Sequence, residues 1–187
     1  VKNNRKLTAT ITTSDGTQQQ GYTTCLPYDL PIPATIKAYQ LAYSKDNQVG
    51  FEEVTGTLKA LEPYVLIPSE SKNTYFNASD VTVVKTFNYD LDTWTHEYVP
   101  TVPKKSEAIS GQGGYALAGV MWYSTGNTDW YIMQSGNKWM QCTATDYPAP
   151  SVLPMRAIII SEGPRARQLF SFFNDADGTT TAIDNFV

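Results

Sequence analysis

One histidine, His96, would have to serve any Ser-His-Asp triad or imidazole acid–base site in this chain. It sits in Trp94-Thr95-His96-Glu97-Tyr98, and no Gly-x-Ser-x-Gly elbow accompanies it. A polar loop position suits an incidental histidine better than a catalytic one. Glu52-Glu53 and the pair Asp90 and Asp92 could supply the two carboxylates of glycoside hydrolysis. Adjacent strand residues point to opposite faces, so Glu52 and Glu53 cannot flank one bond. Asp90 and Asp92 could share a face, but an exposed Asn/Asp loop is their ordinary setting. Asn174-Asp175-Ala176-Asp177-Gly178 has the look of a calcium loop, yet with Asp177-Gly178 at positions five and six, the first ligand position falls on Phe173. A phenyl ring cannot ligate. We therefore expect no catalytic residue, no metal and no cofactor.

Aromatic side chains offer the remaining chemistry. Trp94, Trp122, Trp130 and Trp139, with twelve tyrosines, could form a sugar-stacking platform, although aromatics also fill β cores in the ordinary way. Trp130 and Trp139 are expected on one hairpin face and are the best pair for exposure. Cys25 and Cys142 cannot make a metal site alone; two buried free thiols are favoured over a disulfide, which would need the Cα atoms within about 7 Å.

The elements that would position these groups are strands. Period-2 alternation recurs, and sustained helical periodicity is absent. Leu7 to Thr12 alternates before Ser14-Asp15-Gly16. A second strand from Gly21 to Leu26 stops at Pro27, and Tyr28 to Ala34 is a proline-bearing loop. Ile36 to Tyr43 leads to a turn at Lys45-Asp46-Asn47, followed by strands at Val49 to Val54, Pro63 to Pro68 and Val81 to Phe87. Tyr64-Val65-Leu66-Ile67 is continuously apolar, as in a strand buried on both faces. Trp130 to Gln134 and Trp139 to Thr143 form a hairpin around Gly136-Asn137, with Met133 opposite Met140 and Tyr131 opposite Cys142. In that register Tyr131, Met133, Met140 and Cys142 form the core face, while Trp130, Ile132, Gln134, Trp139 and Gln141 form the other. Ala157 to Ile160 is a buried strand, and Arg167 to Phe173 and Thr180 to Phe186 close the chain. Roughly ten short strands predict an all-β, antiparallel, jelly-roll-like β-sandwich. It forms a single domain over residues 1–187, with a loop seam near 98–107.

Bulk composition narrows the function. The chain has 187 residues, 41% hydrophobic, 17% charged, and a net charge of −4. Nothing more basic than Lys104-Lys105 is available to a phosphate backbone, so nucleic acid is not an expected partner. No apolar run approaches the roughly 20 residues of a spanning helix. The chain starts at Val1 without an initiator Met or an apolar leader, and is expected to be a mature fragment whose export signal lies elsewhere.

Four segments together resemble a domain that follows leucine-rich repeats in secreted surface proteins of the Bacteroidetes type, the BspA-like proteins. Gly21 to Leu30 is similar to a "W-x-T-x-C-L-P-F-D" strand, with Tyr22 and Tyr28 at the aromatic positions. Val54 to Ile67 follows "V-T-G-x-L-x-A-x-x-P-Y-V-L". Val152 to Ile158 is similar to "I-P-x-x-R-A-Y", with Ile158 replacing the aromatic. Ala166 to Asp184 follows "A-R-x-L-x-x-x-F-x-D-G-T-T-G-I". The resemblance spans about Thr10 to Asp184. It implies export, surface attachment, a C-terminal position and no assigned catalytic activity. The expected role is a non-catalytic accessory or interaction domain whose partners are other domains of the same parent, a host protein or a glycan. Carbohydrate binding through exposed Trp and Tyr is the alternative. In these segments Pro27 ends a strand, Pro63 and Pro154 precede apolar strands, and Arg156 is expected to cap or pair at the head of Ala157 to Ile160.

Overall fold

The computed structural model describes residues 3, 6–7, 21–70, 72–108, 114–125, 128–134, 138–143, 150–162, 166–177 and 180–182. In chain order the strands begin with β1 (Lys6–Leu7), β2 (Tyr22–Cys25), β3 (Leu30–Pro31), β4 (Ile36–Lys45), β5 (Gln48–Val54), β6 (Thr57–Leu58) and β7 (Pro63–Pro68). Next come β8 (Thr74–Tyr75), β9 (Phe87–Asp90), β10 (Thr95–Tyr98), β11 (Lys104–Lys105), β12 (Glu107–Ala108) and β13 (Tyr115–Val120). The last are β14 (Ser124–Thr125), β15 (Trp130–Gln134), β16 (Lys138–Gln141), β17 (Ser151–Val152), β18 (Arg156–Ser161), β19 (Gln168–Asn174) and β20 (Thr180–Ala182). The described residues contain no helix, so the all-β expectation holds.

Ten strands form one sheet in the order β11-β13-β18-β15-β16-β19-β5-β4-β7-β2, with β12 added to β4 and β20 to β19. This sheet curls into a half-barrel, where the alternation pattern suggested two separate sheets face to face. It is also mixed: β19 runs parallel to β5, and β12 parallel to β4. Both parallel pairs join segments distant in sequence, which alternation within a strand cannot report.

Curling brings the inward residues of eight strands into one core. Tyr39, Leu41, Val49, Phe51, Val65, Tyr115, Leu117, Tyr131, Trp139, Ile159, Leu169 and Phe173 are all buried there. Its rings interlock: Tyr39 meets Phe173 edge-on at 4.9 Å, and Phe51 stacks on Phe173 at 5.3 Å. The polar tips of this core's Tyr and Trp rings find partners, as burial demands. The Trp139 indole N–H donates to Ser171 Oγ at 2.9 Å, and the Tyr131 hydroxyl donates to the Ala166 carbonyl at 2.7 Å. β7 is buried on both faces as expected. Val65 and Ile67 enter this core, while Tyr64 and Leu66 enter a second one with Leu26, Tyr28, Ile36, Leu58 and Phe76.

Several expectations change. The strand expected over Val81 to Phe87 is not formed: 81–86 makes only isolated backbone bonds, Val84 N–H to the Pro27 carbonyl at 2.6 Å among them, and ladder pairing begins at Phe87. Tyr28 to Ala34 contains the short β3, paired with β6. The 98–107 stretch is a clasp as well as a connection. Lys104 and Lys105 pair with β13, and Glu107 and Ala108 pair with β4, so the segment bridges the open side of the half-barrel. Ser106 fastens its middle, bonding to Ser44 Oγ at 2.9 Å and accepting the Tyr115 backbone N–H at 3.0 Å. Strand 7–12 beyond Leu7, turn 14–16, and residues 183–186 of the final strand lie outside the described residues.

The hairpin β15–β16 is present but shifted by one residue. Tyr131 faces Gln141, Ile132 faces Met140, and Met133 faces Trp139. A one-residue slip turns a whole strand over. Trp139 therefore enters the core fully buried, and Met140 lies outside at 39% exposure. Gln134 faces Lys138, and the turn expected at 136–137 lies outside the described residues.

The second route across the open side runs through β2. Cys25 N–H donates to the Met155 carbonyl at 3.3 Å, and Ala157 N–H donates to Thr23 Oγ1 at 3.0 Å, tying β2 to the start of β18. The approach is close because β13 carries Gly119. A Cβ there would stand 2.3 Å from Cys25 Sγ and 2.9 Å from Thr101 Cγ2. Gly119→Ala is expected to lower stability by about 2 kcal/mol, read as a reduced urea midpoint. Adding Cys25→Ala should restore part of that loss, and strictly additive effects would disprove the contact.

Candidate functional site

Glu62, Asp175 and Glu53 are occupied in holding the fold. Glu62 sits before β7 and accepts from Gln40 Nε2 at 2.9 Å and from the Tyr64 hydroxyl at 3.1 Å. Lys104 Nζ of the clasp lies 3.2 Å away. Burial pushes the Glu62 carboxyl up, but the bonds from Gln40, Lys104 and Tyr64 outweigh it and hold the group below the usual carboxylate range. Asp175 accepts from Lys37 Nζ at 2.7 Å and from the Tyr39 hydroxyl at 2.5 Å. Glu53 accepts the Ala176 backbone N–H at 2.8 Å and lies 3.7 Å from Lys37 Nζ. Residues 174–177 thus dock on β4 and β5 through Asp175 and Ala176, Phe173 is in the core, and Gly178 lies outside the described residues. Glu52, on the other face of β5, is exposed as strand alternation requires.

Cys25 and Cys142 are buried free thiols. Burial, with Glu62 nearby, pushes the Cys25 thiol up to about 12. A thiol so little ionised at neutral pH is a poor nucleophile. Among the described residues, no three His, Cys, Asp or Glu side chains converge in a metal-binding arrangement.

The hairpin β9–β10 carries a row of exposed aromatic residues. Phe87 faces Tyr98, Asn88 faces Glu97, Tyr89 faces His96, and Asp90 faces Thr95. Directly paired residues share a face, and successive ones alternate. Phe87, Tyr89 and Tyr98 therefore line one side, while Asn88, Asp90, Thr95 and Glu97 line the other. His96 is in a strand, contrary to the loop expected for it, and its side chain is outside the described residues. Asp90 shapes the tip: its Oδ1 accepts the N–H groups of Asp92 at 2.8 Å and Thr93 at 3.2 Å. Those bonds hold the Asp90 carboxyl below its ordinary range. Trp94 completes the turn at φ 56° and is 78% exposed, with Leu91 beside it at 73%.

A lone two-stranded ribbon is marginal in water. This one rests on the body through Tyr98, whose ring stacks on Trp122 at 4.0 Å and 14°. Phe87 and Tyr89 remain nearly half exposed, and Tyr123 is 61% exposed.

The four expected tryptophans do not form one platform. Trp94 and Trp122 belong to the hairpin and its support. Trp130 lies on the outer face of β15, packed against the Val120, Val152 and Ile158 cluster. Trp139 lies in the core, so the expected Trp130–Trp139 face does not exist. Sequence reasoning missed Phe87, Tyr89 and Tyr98, although the alternation Phe87-Asn88-Tyr89-Asp90 carries the signal.

Neither a protein-family model, a curated protein nor a solved structure matches the chain.

Glu62 sets a pH dependence. A carboxyl whose folded pKa is depressed stabilises the fold above its unfolded pKa of about 4.3, and that contribution disappears as pH falls through the lower folded value. Stability should therefore decline on acidification below about pH 5. Glu62→Gln should cost about 1–2 kcal/mol at pH 7 and flatten the decline, as measured by urea unfolding across pH. An unchanged acid slope in the variant would remove Glu62 from this role.

Proposed function

We propose that this chain is a non-catalytic interaction domain of a bacterial cell-surface or secreted protein, and that the β9–β10 hairpin is its contact element. The carrying observation is the hairpin's exposed aromatic side, with Phe87, Tyr89 and Tyr98 in line and Trp94 at the tip. Large exposed aromatics are characteristic of interface anchors, since they bury much area with few rotatable bonds. The four-segment resemblance to domains following leucine-rich repeats supports the surface location and a neighbouring domain of the same parent as first partner. The proposed body is jelly-roll-like, with opposing walls of the curled sheet meeting across one core as in a sandwich. The structural engagement of Glu62, Asp175 and Glu53 supports a role other than hydrolysis.

Carbohydrate binding is the second reading, favoured by the flat Tyr98–Trp122 stack and the exposed Trp94 ring.

Hydrogen exchange separates these readings. Residues 87–98 should exchange rapidly in the chain alone and gain protection in the parent that contains its neighbouring domains. Protection unchanged by the neighbours would refute the domain-contact reading. For the second reading, calorimetric titration with soluble glycans should yield binding that Trp94→Ala weakens by about 1 kcal/mol without altering the melting temperature. Equal affinity in the variant would exclude Trp94 as a stacking residue.

A further inference from the structure

Away from the hairpin, a cleft of about 380 Å³ opens between β2, β15, β17 and the head of β18. Arg156 lines it together with Tyr22, Thr23, Gln134 and Ser151. Arg156 was expected to pair with a neighbour at the strand head. Instead its Nη1 is sealed from solvent with no hydrogen-bond partner among the described residues, and none of the described residues lining the cleft is acidic. Burial, with no charged partner to offset it, lowers the Arg156 pKa from the ordinary guanidinium value.

A guanidinium carries five N–H donors in a fixed fork and stays charged in proteins. Leaving such a charge desolvated and unpaired is costly, and orphaned buried donors in native folds commonly mark an ion or water site. The fork matches two oxygens of one carboxylate, sulfate or phosphate. Gln134 and Ser151 add neutral polar groups at the rim, where they can complete an oxyanion's hydrogen bonds. The volume is in the range of small-molecule sites and exceeds what a bare ion would fill.

We propose that this cleft is a binding site for an oxyanion group of a small ligand, with Arg156 as the fork that receives it. The site is independent of the hairpin, so either proposal can fail alone.

Sodium sulfate, sodium phosphate and sodium acetate should each be titrated into the chain against sodium chloride at matched ionic strength. The melting temperature and backbone amide resonances are followed together. Sulfate stabilises proteins generally by exclusion from the surface, so saturation is the informative feature. At least one oxyanion should raise the melting temperature saturably by about 5 °C at roughly hundredfold excess over Kd, and should shift the amides of Gln134, Ser151 and Arg156. Preference for acetate would assign a planar carboxylate, and preference for sulfate or phosphate a tetrahedral group. Arg156→Met should abolish saturation while melting in chloride no lower than the parent. Arg156→Lys keeps the charge, protects against a folding failure of the first variant, and should weaken binding about tenfold through loss of the fork. A response no greater than in chloride, an unchanged response in Arg156→Met, or undiminished affinity in Arg156→Lys would each overturn the proposal.

Discussion

The fold depends on one close approach, made possible where a side chain is missing. At Gly119 the Cys25 sulfur occupies the space that a Cβ would need. This contact lets β2 lie against the start of β18 and the end of β13, so the sheet can curl far enough to enclose a core. Without that approach Tyr39, Phe51, Tyr131, Trp139 and Phe173 would lose the opposite wall against which they pack. Interiors are close-packed, and a gap of even one methylene is felt. Gly50 makes a similarly close arrangement, with the Tyr43 ring covering it across the β4–β5 ladder.

Closure also decides what the polar groups can do. The open side is crossed by the 104–108 clasp, and Lys104 needs Glu62 beneath it, so that carboxylate is committed to architecture. Asp175 and Glu53 are likewise committed to Lys37, Tyr39 and the Ala176 backbone. Glu62, which accepts several donors, is held ionised, as suits an anchor. The same economy makes the exceptions informative. The hairpin displays aromatic rings that no core covers, and Arg156 keeps a charge that no described neighbour balances. Both lie apart from the principal core, and both depend on it for position.

Much of the strand inventory was legible. The Asp46 turn, the proline-bounded Pro63–Pro68 strand buried on both faces, and the buried run beginning at Ala157 follow from turn chemistry and apolar continuity. The aromatic hairpin was only partly legible. Trp94 was named with the other tryptophans for stacking, but Val81 to Phe87 was read as the strand and Phe87 to Asp90 was not. The pairing of 87–90 with 95–98 depends on Asp90 capping its own turn, a bond that takes shape only once the tip is folded. Arg156 was noticed, but that its Nη1 has no partner among the described residues is a property of space and not of order along the chain.

What the sequence alone determined is local: all-β class, most strand positions, and the polar turns that separate them. These follow from alternation and from backbone preferences acting over a few residues. Tertiary structure alone decided the register, the parallel pairs, the conversion of 104–108 into a clasp, and the faces to which Trp139 and Met140 belong. The reason is physical. Alternation specifies that a strand has two faces, but only the wall packed against it decides which face is inside. In β16 a single residue of slip was enough to move a tryptophan from the expected binding surface into the core.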